Sequence, residues 1–392
     1  MQGRDAIALK DPLQLSDQVL CVDAQTIQVL ALLDGRRSLQ DIQEHLTRTT
    51  GQLVPSEDII MMLEKLDELF LLEGERAASA FRHRSARYRD LPFRECSHAG
   101  ASYPADPDEL RTRLDSFYTE EGGPGSPELG VDGRKPVGLI APHIDVRAGG
   151  KSFAHAYHAL AAGAPSDVYV IFGTGHAGVD SLFTATTLDF QTPLGTVRTN
   201  RQIIQNLSDE LGRDAAGEEI LHAAEHVIEF QVLFLQHLLG ARRDFTIVPV
   251  LVSLAPDYLS QKTGFEAQRG LFDEFCDALR SVCRSESVCF IASADLDHIG
   301  PRYGDQFMPT EQMVSDILQK DRELTALLER VDSDAFVGEV ARSNEMRRIC
   351  GFSPIAAMLK CMDASEGKLL DLDFAYVDDK SSFVSFASMI FY

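Results

Sequence analysis

The sequence predicts an α/β fold, a three-layer, mixed and mostly parallel sheet with helices on both faces, preceded by a small helical domain. Three observations carry this. Short apolar runs rich in β-branched residues, "VGLIAPH", "DVYVIFGTGH", "FTIVPVLVSL" and "SVCFIASADLDH", recur in the C-terminal part of the chain, and runs of that length read as strands buried on both faces. Helical segments such as "GGKSFAHAYHAL" and "EHVIEFQVLFLQHLLG" separate them, the alternation that builds a parallel sheet. Ahead of them, residues 22–74 have helical periodicity only, which sets a small unit apart from the large one.

Composition agrees with this division and narrows the function. A chain of 392 residues exceeds what one core usually covers. With 44% apolar and 25% charged residues it has a soluble, globular composition, and no run of apolar residues is long enough to span a bilayer. The opening "MQGRDAIALKDPL" carries charges where a signal peptide needs an apolar core. Seven cysteines, an odd number without CxxC pairs, fit reduced thiols, so a cytoplasmic protein is expected. The formal charge of −23 repels phosphate backbones, which argues against a nucleic-acid partner. No feature of the sequence assigns an oligomeric state.

Taken in order, "AQTIQVLALLDG", "SLQDIQEHLTRTTG" and "SEDIIMMLEKLDELFLLEG" are three helices, each opening or closing on a capping or glycine signal. If "LFLLEGE" is a short strand, residues 1–75 form a winged-helix-like domain. Six basic side chains (Arg4, Lys10, Arg36, Arg37, Arg48 and Lys65) face fourteen acidic ones there, and a net of −8 (6 − 14) argues against a DNA-facing helix. Arg76, Arg82, Arg84, Arg87 and Arg89 mark residues 76–92 as a solvated basic linker. The large domain, 93–392, begins with a capped amphipathic helix in "SYPADPDELRTRLDSFY" and a Gly/Pro-rich loop in "EEGGPGSPELGVDGRKP". The parallel strands follow, and "KLLDLDFAYVDD" and "SSFVSFASMIFY" close the sheet as two further strands joined by a polar turn.

In open α/β sheets ligands bind beyond the carboxyl ends of the strands. Three of the four apolar runs end in histidine: His143, His176 and His298, with Asp295 three residues before the last. Neutral imidazole is the commonest metal ligand, and carboxylates on the same rim ligate or orient it. Two other segments are expected to feed this crevice. One carries His98; the other, "AAEHVIEFQ", carries Glu225, His226 and Glu229, with His226 and Glu229 three apart on one helix face. An ordinary helix start is the competing reading of Glu225 and His226. Asp297 reads as a solvent-facing or capping carboxylate, and Cys276, Cys283 and Cys289 as small core residues. Cys350 stands in "RRICGFSP", after two arginines, a setting expected to lower its pKa and favour thiolate.

The segments "ECSHAGASYPAD", "GLIAPHIDVRAGGKSFAHAY", "VIFGTGH", "AEHVIEFQVLFLQ", "FTIVPVLV", "SADLDHIGPRYGD" and "ICGFSPI", in this order, resemble the Memo family, also called AmmeMemoRadiSam system protein B. The resemblance covers residues 93–392. It implies a fold similar to that of the class III extradiol dioxygenases, non-haem iron enzymes with a strand-end metal site. It also implies metal-site residues at His143, His176 and Cys350, with Asp295 and His298 as catalytic pocket residues. Two histidines and a cysteine suit iron or copper; the thiolate shifts preference toward copper(I) or zinc and departs from the facial triad of an iron oxygenase. Departures from the family pattern are Ile144-Asp145-Val146 after the first histidine, which adds the Asp145 carboxylate, Ala177 after the second, and Gln231 where many members have histidine. The stretch "LALLDGRRSLQDI…LEKLDELFLLE" resembles PqqD-like winged-helix modules that hold peptides or dock on radical-SAM enzymes.

Three functions follow. The first is a metal-dependent redox or dioxygenase-like enzyme, with His143, His176 and Cys350 holding iron or copper and Asp295 with His298 handling protons or positioning oxygen. The second is a peptide- or protein-binding module that recruits a radical-SAM partner through residues 1–75. The third uses Cys350 as a nucleophile with His143 or His298 as base, or zinc in a hydrolase.

Overall fold

The computed structural model describes the chain except residues 1–6, 12, 14, 17, 241–242, 261 and 344–346 and the side chains of 24–25. The charged opening segment at 1–6, including Arg4, therefore lies outside the described residues. Two compact units divide at Asp90 and Leu91.

In the first unit strands β1 (Ile7–Leu9) and β2 (Leu20–Val22) pair antiparallel. Helices α1 (Ala24–Leu30), α2 (Leu39–Thr50), α3 (Ser56–Glu68) and α4 (Glu75–Arg89) follow. A capping box between Ser38 and Asp41 opens α2 and left-handed Gly51 closes it. Leu32, Ile42, Leu46 and Ile59 form the unit's core. Two expectations change here. The strand expected at "LFLLEGE" is a helix stop instead: Phe70 takes φ 58°, Leu71 N–H reaches Leu66 O at 2.9 Å and Phe70 N–H reaches Asp67 O at 3.1 Å. That pair of bonds satisfies the last carbonyls of α3 and turns the chain. The arginine-rich stretch expected as a linker is helix α4, because "ERAASAFRHRSARYR" holds only residues compatible with a helix and neither glycine nor proline.

The second unit opens with β3 (Phe93–Arg94), α5 (Pro107–Thr119), β4 (Gly138–Ala141), α6 (Val146–Ala162) and β5 (Val168–Thr174). Then come β6 (Phe183–Ala185), β7 (Asp189–Thr192), β8 (Gly195–Thr199), α7 (Arg201–Leu211), α8 (Val227–Leu239) and β9 (Thr246–Val252). The remainder is α9 (Pro256–Leu259), α10 (Glu266–Cys283), β10 (Val288–Ser293), β11 (Asp295–Ile299), α11 (Glu311–Glu329), α12 (Ser333–Ser343), α13 (Phe352–Cys361), β12 (Gly367–Tyr376) and β13 (Phe383–Phe391). The sheet runs β11-β13-β4-β10-β5-β9-β8-β7-β3, with β12 on β13 and β6 on β9. Strands β4, β10, β5, β9 and β8 are mutually parallel, and β13 runs against β4, β11 and β12.

The continuous apolar runs are explained by burial on both faces. Tyr169, Ile171, Ile247, Leu251, Cys289 and Ile291 pack with α5, α6 and α8; Val170, Phe172, Val248, Val250, Phe290 and Ala292 pack with α7, α10 and α13. Alternate residues thus fill two cores, and the three-layer α/β fold is the result. Cys276, Cys283 and Cys289 are buried in these cores, as expected. Among the described residues no helix is long and apolar enough to cross a membrane.

The run "CFIASADLDHIG", read as one strand from its apolar residues, is two strands. After β10, parallel to β4 and β5, the chain enters β11, antiparallel to β13. There Asp295 faces Phe386 and His298 faces Val384, so three steps along β11 match two along β13. That bulge inserts one residue. Residues three apart on a regular strand point to opposite faces; here Asp295 and His298 both reach the crevice.

Close approach of α8 to β5 also shapes the site, and Gly173 permits it. A Cβ at Gly173 would lie 2.2 Å from Val227 Cγ2 and 3.1 Å from Ile228 Cγ1. Gly173→Ala is expected to cost about 1–3 kcal/mol through overpacking, and Val227→Ala in the same chain to recover part of it, read by urea unfolding as a favourable coupling energy.

Candidate metal centre

His143 lies two residues beyond β4, His176 two beyond β5, and Cys350 just ahead of α13. One potential ligand atom from each lies within 4.8 Å of the others. They meet at the floor of a crevice of about 1410 Å³, which Asp295, His298 and His226 also line. Two of the strand-end histidines, His143 and His176, therefore lie beside Cys350, and the third, His298, lines the same crevice.

Each imidazole is oriented by a partner that only accepts. His143 is buried, and its Nδ1 lies 2.9 Å from Ser293 O, so Nδ1 carries the hydrogen and the Nε2 lone pair faces Cys350 Sγ at 2.9 Å. Burial above all, with the neighbouring histidines, holds His143 well below the usual histidine range, hence neutral. His176 is exposed to the crevice, with Nδ1 3.1 Å from both Glu225 oxygens, which leaves its Nε2 free. Burial acts to lower its pKa, but the hydrogen bond and charge of Glu225 outweigh it and the net shift is upward. Glu225 also accepts from His176 N–H at 3.1 Å and His226 N–H at 3.0 Å, and His226 Nδ1 lies 3.1 Å from it. The His226 ring stacks on His176 with centroids 5.4 Å apart. Carboxylate and carbonyl partners of this kind fix tautomer and direction in metal-binding histidines.

Asp295 joins the segments. Its Oδ1 accepts from His143 N–H at 2.8 Å and Ile144 N–H at 3.1 Å, and its Oδ2 lies 3.6 Å from His143 Nε2. Burial raises its pKa despite those donors. Gly351 N–H reaches Asp295 O at 2.9 Å, which docks the Cys350 segment on β11. On that strand, His298 Nδ1 faces Leu296 O at 3.1 Å and its ring meets Tyr303 edge-on at 4.9 Å; burial lowers its pKa.

Several expectations are corrected. Cys350 is pushed well above the ordinary thiol range, first by burial and then by the Asp295 charge. Its neighbouring arginines are engaged elsewhere, Arg347 with Asp297 and Asp321 and Arg348 with Asp305. Asp297 is fully buried, where a solvent-facing carboxylate is expected. Asp145 lines the crevice, but its carboxylate caps α6 and holds Arg147. His98 stands behind His226, 5.5 Å between centroids, and its Nδ1 pairs with Ser97 Oγ at 2.8 Å; it is not part of the crevice wall.

Glu229 also turns away from the crevice. Its buried carboxylate meets the Arg94 guanidinium and the Tyr103 hydroxyl and accepts Ser97 N–H and His98 N–H at 3.0 Å each. Arg94 in turn donates to Glu225 O at 2.6 Å and His222 O at 3.0 Å, so this pair backs the Glu225 turn. Sequence reasoning missed Arg94 and the supporting roles of Ser293, which anchors His143, and of Gln231. Gln231 donates to Pro142 O at 2.7 Å and Ser293 Oγ at 2.8 Å; its standing where many family members have histidine, on α8, was the available signal.

Burial alone would raise Glu229, but hydrogen bonding at His98 and the Arg94 charge hold it below the usual carboxylate range. A depressed folded-state pKa contributes stability above about pH 4.3 that is lost as pH falls through the folded value. Glu229→Gln, which leaves Arg94 buried without its anion, is expected to lose about 3–5 kcal/mol at neutral pH. The gap to the parent should narrow below about pH 4, measured by urea unfolding across a pH series.

Comparison with known proteins agrees with this architecture. A family model described as Memo-like protein matches residues 94–390. A MEMO1 family protein of Aquifex aeolicus is 28% identical over 391 residues, 99% of this chain and 96% of its own length, so that match runs through the N-terminal unit as well. A MEMO1 family protein of Methanopyrus kandleri is 31% identical over 301 residues, 75% of this chain and 96% of its own. One from Methanothermobacter thermautotrophicus is 29% identical over 298 residues, 74% of this chain and 97% of its own. With the family model covering nearly all of the second unit, the chain belongs to the Memo family.

Proposed function

We propose that this Memo-family protein binds a transition metal, iron or copper, through His143, His176 and Cys350, and is a redox or dioxygenase-like enzyme acting in the crevice above them. The observation that carries the reading is the convergence of these three ligand atoms within 4.8 Å at the crevice floor. The donor set fits such an ion. His143 is neutral with Nε2 turned inward, His176 keeps Nε2 free, and each Nδ1 is committed to a fixed acceptor. Burial and the Asp295 charge favour the Cys350 thiol, and a cation at this place would favour its thiolate. A mixed imidazole and thiolate set suits iron and copper, with zinc as the redox-inert alternative.

When bound, the metal supplies a Lewis-acid centre for substrate. The chain's own residues supply the rest. His298 faces the crevice with Nδ1 held by Leu296 O, so its Nε2 accepts or returns a proton. Burial holds Asp295 toward its neutral form, and its Oδ2, 3.6 Å from His143 Nε2, is the second proton-holding atom. Leu182, Val179 and Pro256 on the crevice wall exclude water from part of the site.

A second reading has its own observation. His143 Nε2 stands 2.9 Å from Cys350 Sγ, the spacing of a base beside a nucleophilic thiol. The raised Cys350 pKa weighs against it. Metal analysis separates the two. After anaerobic purification the parent is expected to retain iron or copper, and His176→Ala to bind it more than about a hundredfold more weakly, since removing a direct ligand exceeds the effect of an outer partner. Bound metal should protect Cys350 from iodoacetamide. Undiminished metal content in His176→Ala sinks the metal reading, and alkylation indifferent to metal favours the nucleophile.

A further inference from the structure

Three buried ionic side chains lie behind the crevice wall. Arg347, Asp297 and Asp321 are exposed by 2%, 0% and 0%. Arg347 Nε donates to Asp297 Oδ2 at 2.8 Å and its Nη2 at 2.5 Å. The same Nη2 also bonds Asp321 Oδ1. Among the described residues, Asp297 Oδ1 and Asp321 Oδ2 have no hydrogen-bond donor. Burial and the Asp297 charge push Asp321 well above the usual carboxylate range.

The places of these residues in the chain matter more than their charges. Asp297 lies within the β11 bulge, between Asp295 and His298, and its N–H leaves the regular ladder to reach Ser385 Oγ at 3.1 Å. Asp321 is on α11, and Arg347 is three residues before Cys350. One guanidinium therefore ties the bulge, the helix behind it and the segment that carries the thiol. The Gly351 N–H to Asp295 O bond, 2.9 Å, and a hydrogen bond between the Asp295 backbone and the Cys350 side chain also tie β11 to that segment.

We propose that Arg347, gripped by Asp297 and Asp321, is a positioning residue that holds Cys350 at its place opposite His143 and keeps Asp295 and His298 on one face of the bulged strand. The inference rests on the metal reading for its purpose, but not for its test. Without the guanidinium, Asp297 loses its cation in a buried interior, and the bulge and the Cys350 segment lose the one anchor they share with α11.

The test follows alkylation of individual cysteines by iodoacetamide in metal-free protein, resolved by peptide mass spectrometry. Cys276, fully buried in the core on the α10 side, reports global opening. Arg347→Met is expected to speed alkylation of Cys350 at least about tenfold while Cys276 keeps the parent rate. Arg347→Lys, a point charge without the fork, should recover part of the protection. Asp321→Asn, which keeps an oxygen facing Arg347, should stay within about twofold of the parent. Cobalt(II) titration adds a spectroscopic reading: Arg347→Met should weaken binding about 10–100-fold and diminish the thiolate charge-transfer band. If Cys350 in folded Arg347→Met reacts at the parent rate, or if Cys276 and Cys350 accelerate together, the proposal is overturned. Should Arg347→Met not fold, Asp321→Ala is the milder variant, with a several-fold faster Cys350 expected and a parent rate overturning the idea. A parent protein that binds no cobalt counts against the metal reading alone, because the alkylation arm stands without metal.

Discussion

The crevice depends on the Asp295 carboxylate, a buried acceptor at the point where three segments meet. Its Oδ1 takes the N–H groups of His143 and Ile144, just beyond β4, while its backbone carbonyl takes that of Gly351. A side chain at position 351 would put a Cβ 2.4 Å from that carbonyl, so the approach needs glycine there. Two backbone donors offset part of the desolvation of a carboxyl group that is 2% exposed. A buried acid with its partners built in aligns the ends of β4 and β10 more rigidly than apolar packing does, because a shift of either end leaves a polar group unpaired.

Around that joint the two imidazoles are set up differently. A neutral carbonyl directs His143 and a carboxylate directs His176, so side by side, with centroids 5.4 Å apart, one ring has a depressed proton affinity and the other a raised one. Behind them Tyr157, Gln231 and Ser293 form a satisfied chain ending on Val227 O. Such fully bonded interiors hold one geometry well.

Much of this was legible in the sequence, for identifiable reasons. Strands buried on both faces announce themselves as unbroken apolar runs, and the rule that ligands gather at strand carboxyl ends led directly to His143 and His176. Order and spacing of motifs then joined Cys350 to them. What stayed hidden depends on register or on distant charges. Alternation cannot show a bulge, so Asp297 looked solvent-facing although it is buried behind Asp295. The arginines before Cys350 suggested an electropositive thiol, but their partners Asp297, Asp321 and Asp305 lie 50, 26 and 43 residues away along the chain. Likewise His226 and Glu229 share a helix side only on paper: His226 sits at the N-cap, ahead of the first turn, while Glu229 is drawn to Arg94.

The order of the strands has a consequence for how the molecule comes into being. Strand β10 inserts between β4 and β5, and β13, from residue 383 onward, pairs antiparallel with β4 and links it to β11 and β12. His143 and Cys350 are 207 residues apart. While a ribosome is still extending the chain, the histidine-bearing strands emerge long before the thiol and before the strand that must slot between them. Pairing over such separations is slow to nucleate. A partly made chain therefore presents His143 and His176 without Cys350, and the complete cluster is a property of the finished molecule alone. This ordering leaves the growing sheet with an open gap that neighbouring chains or chaperones can engage.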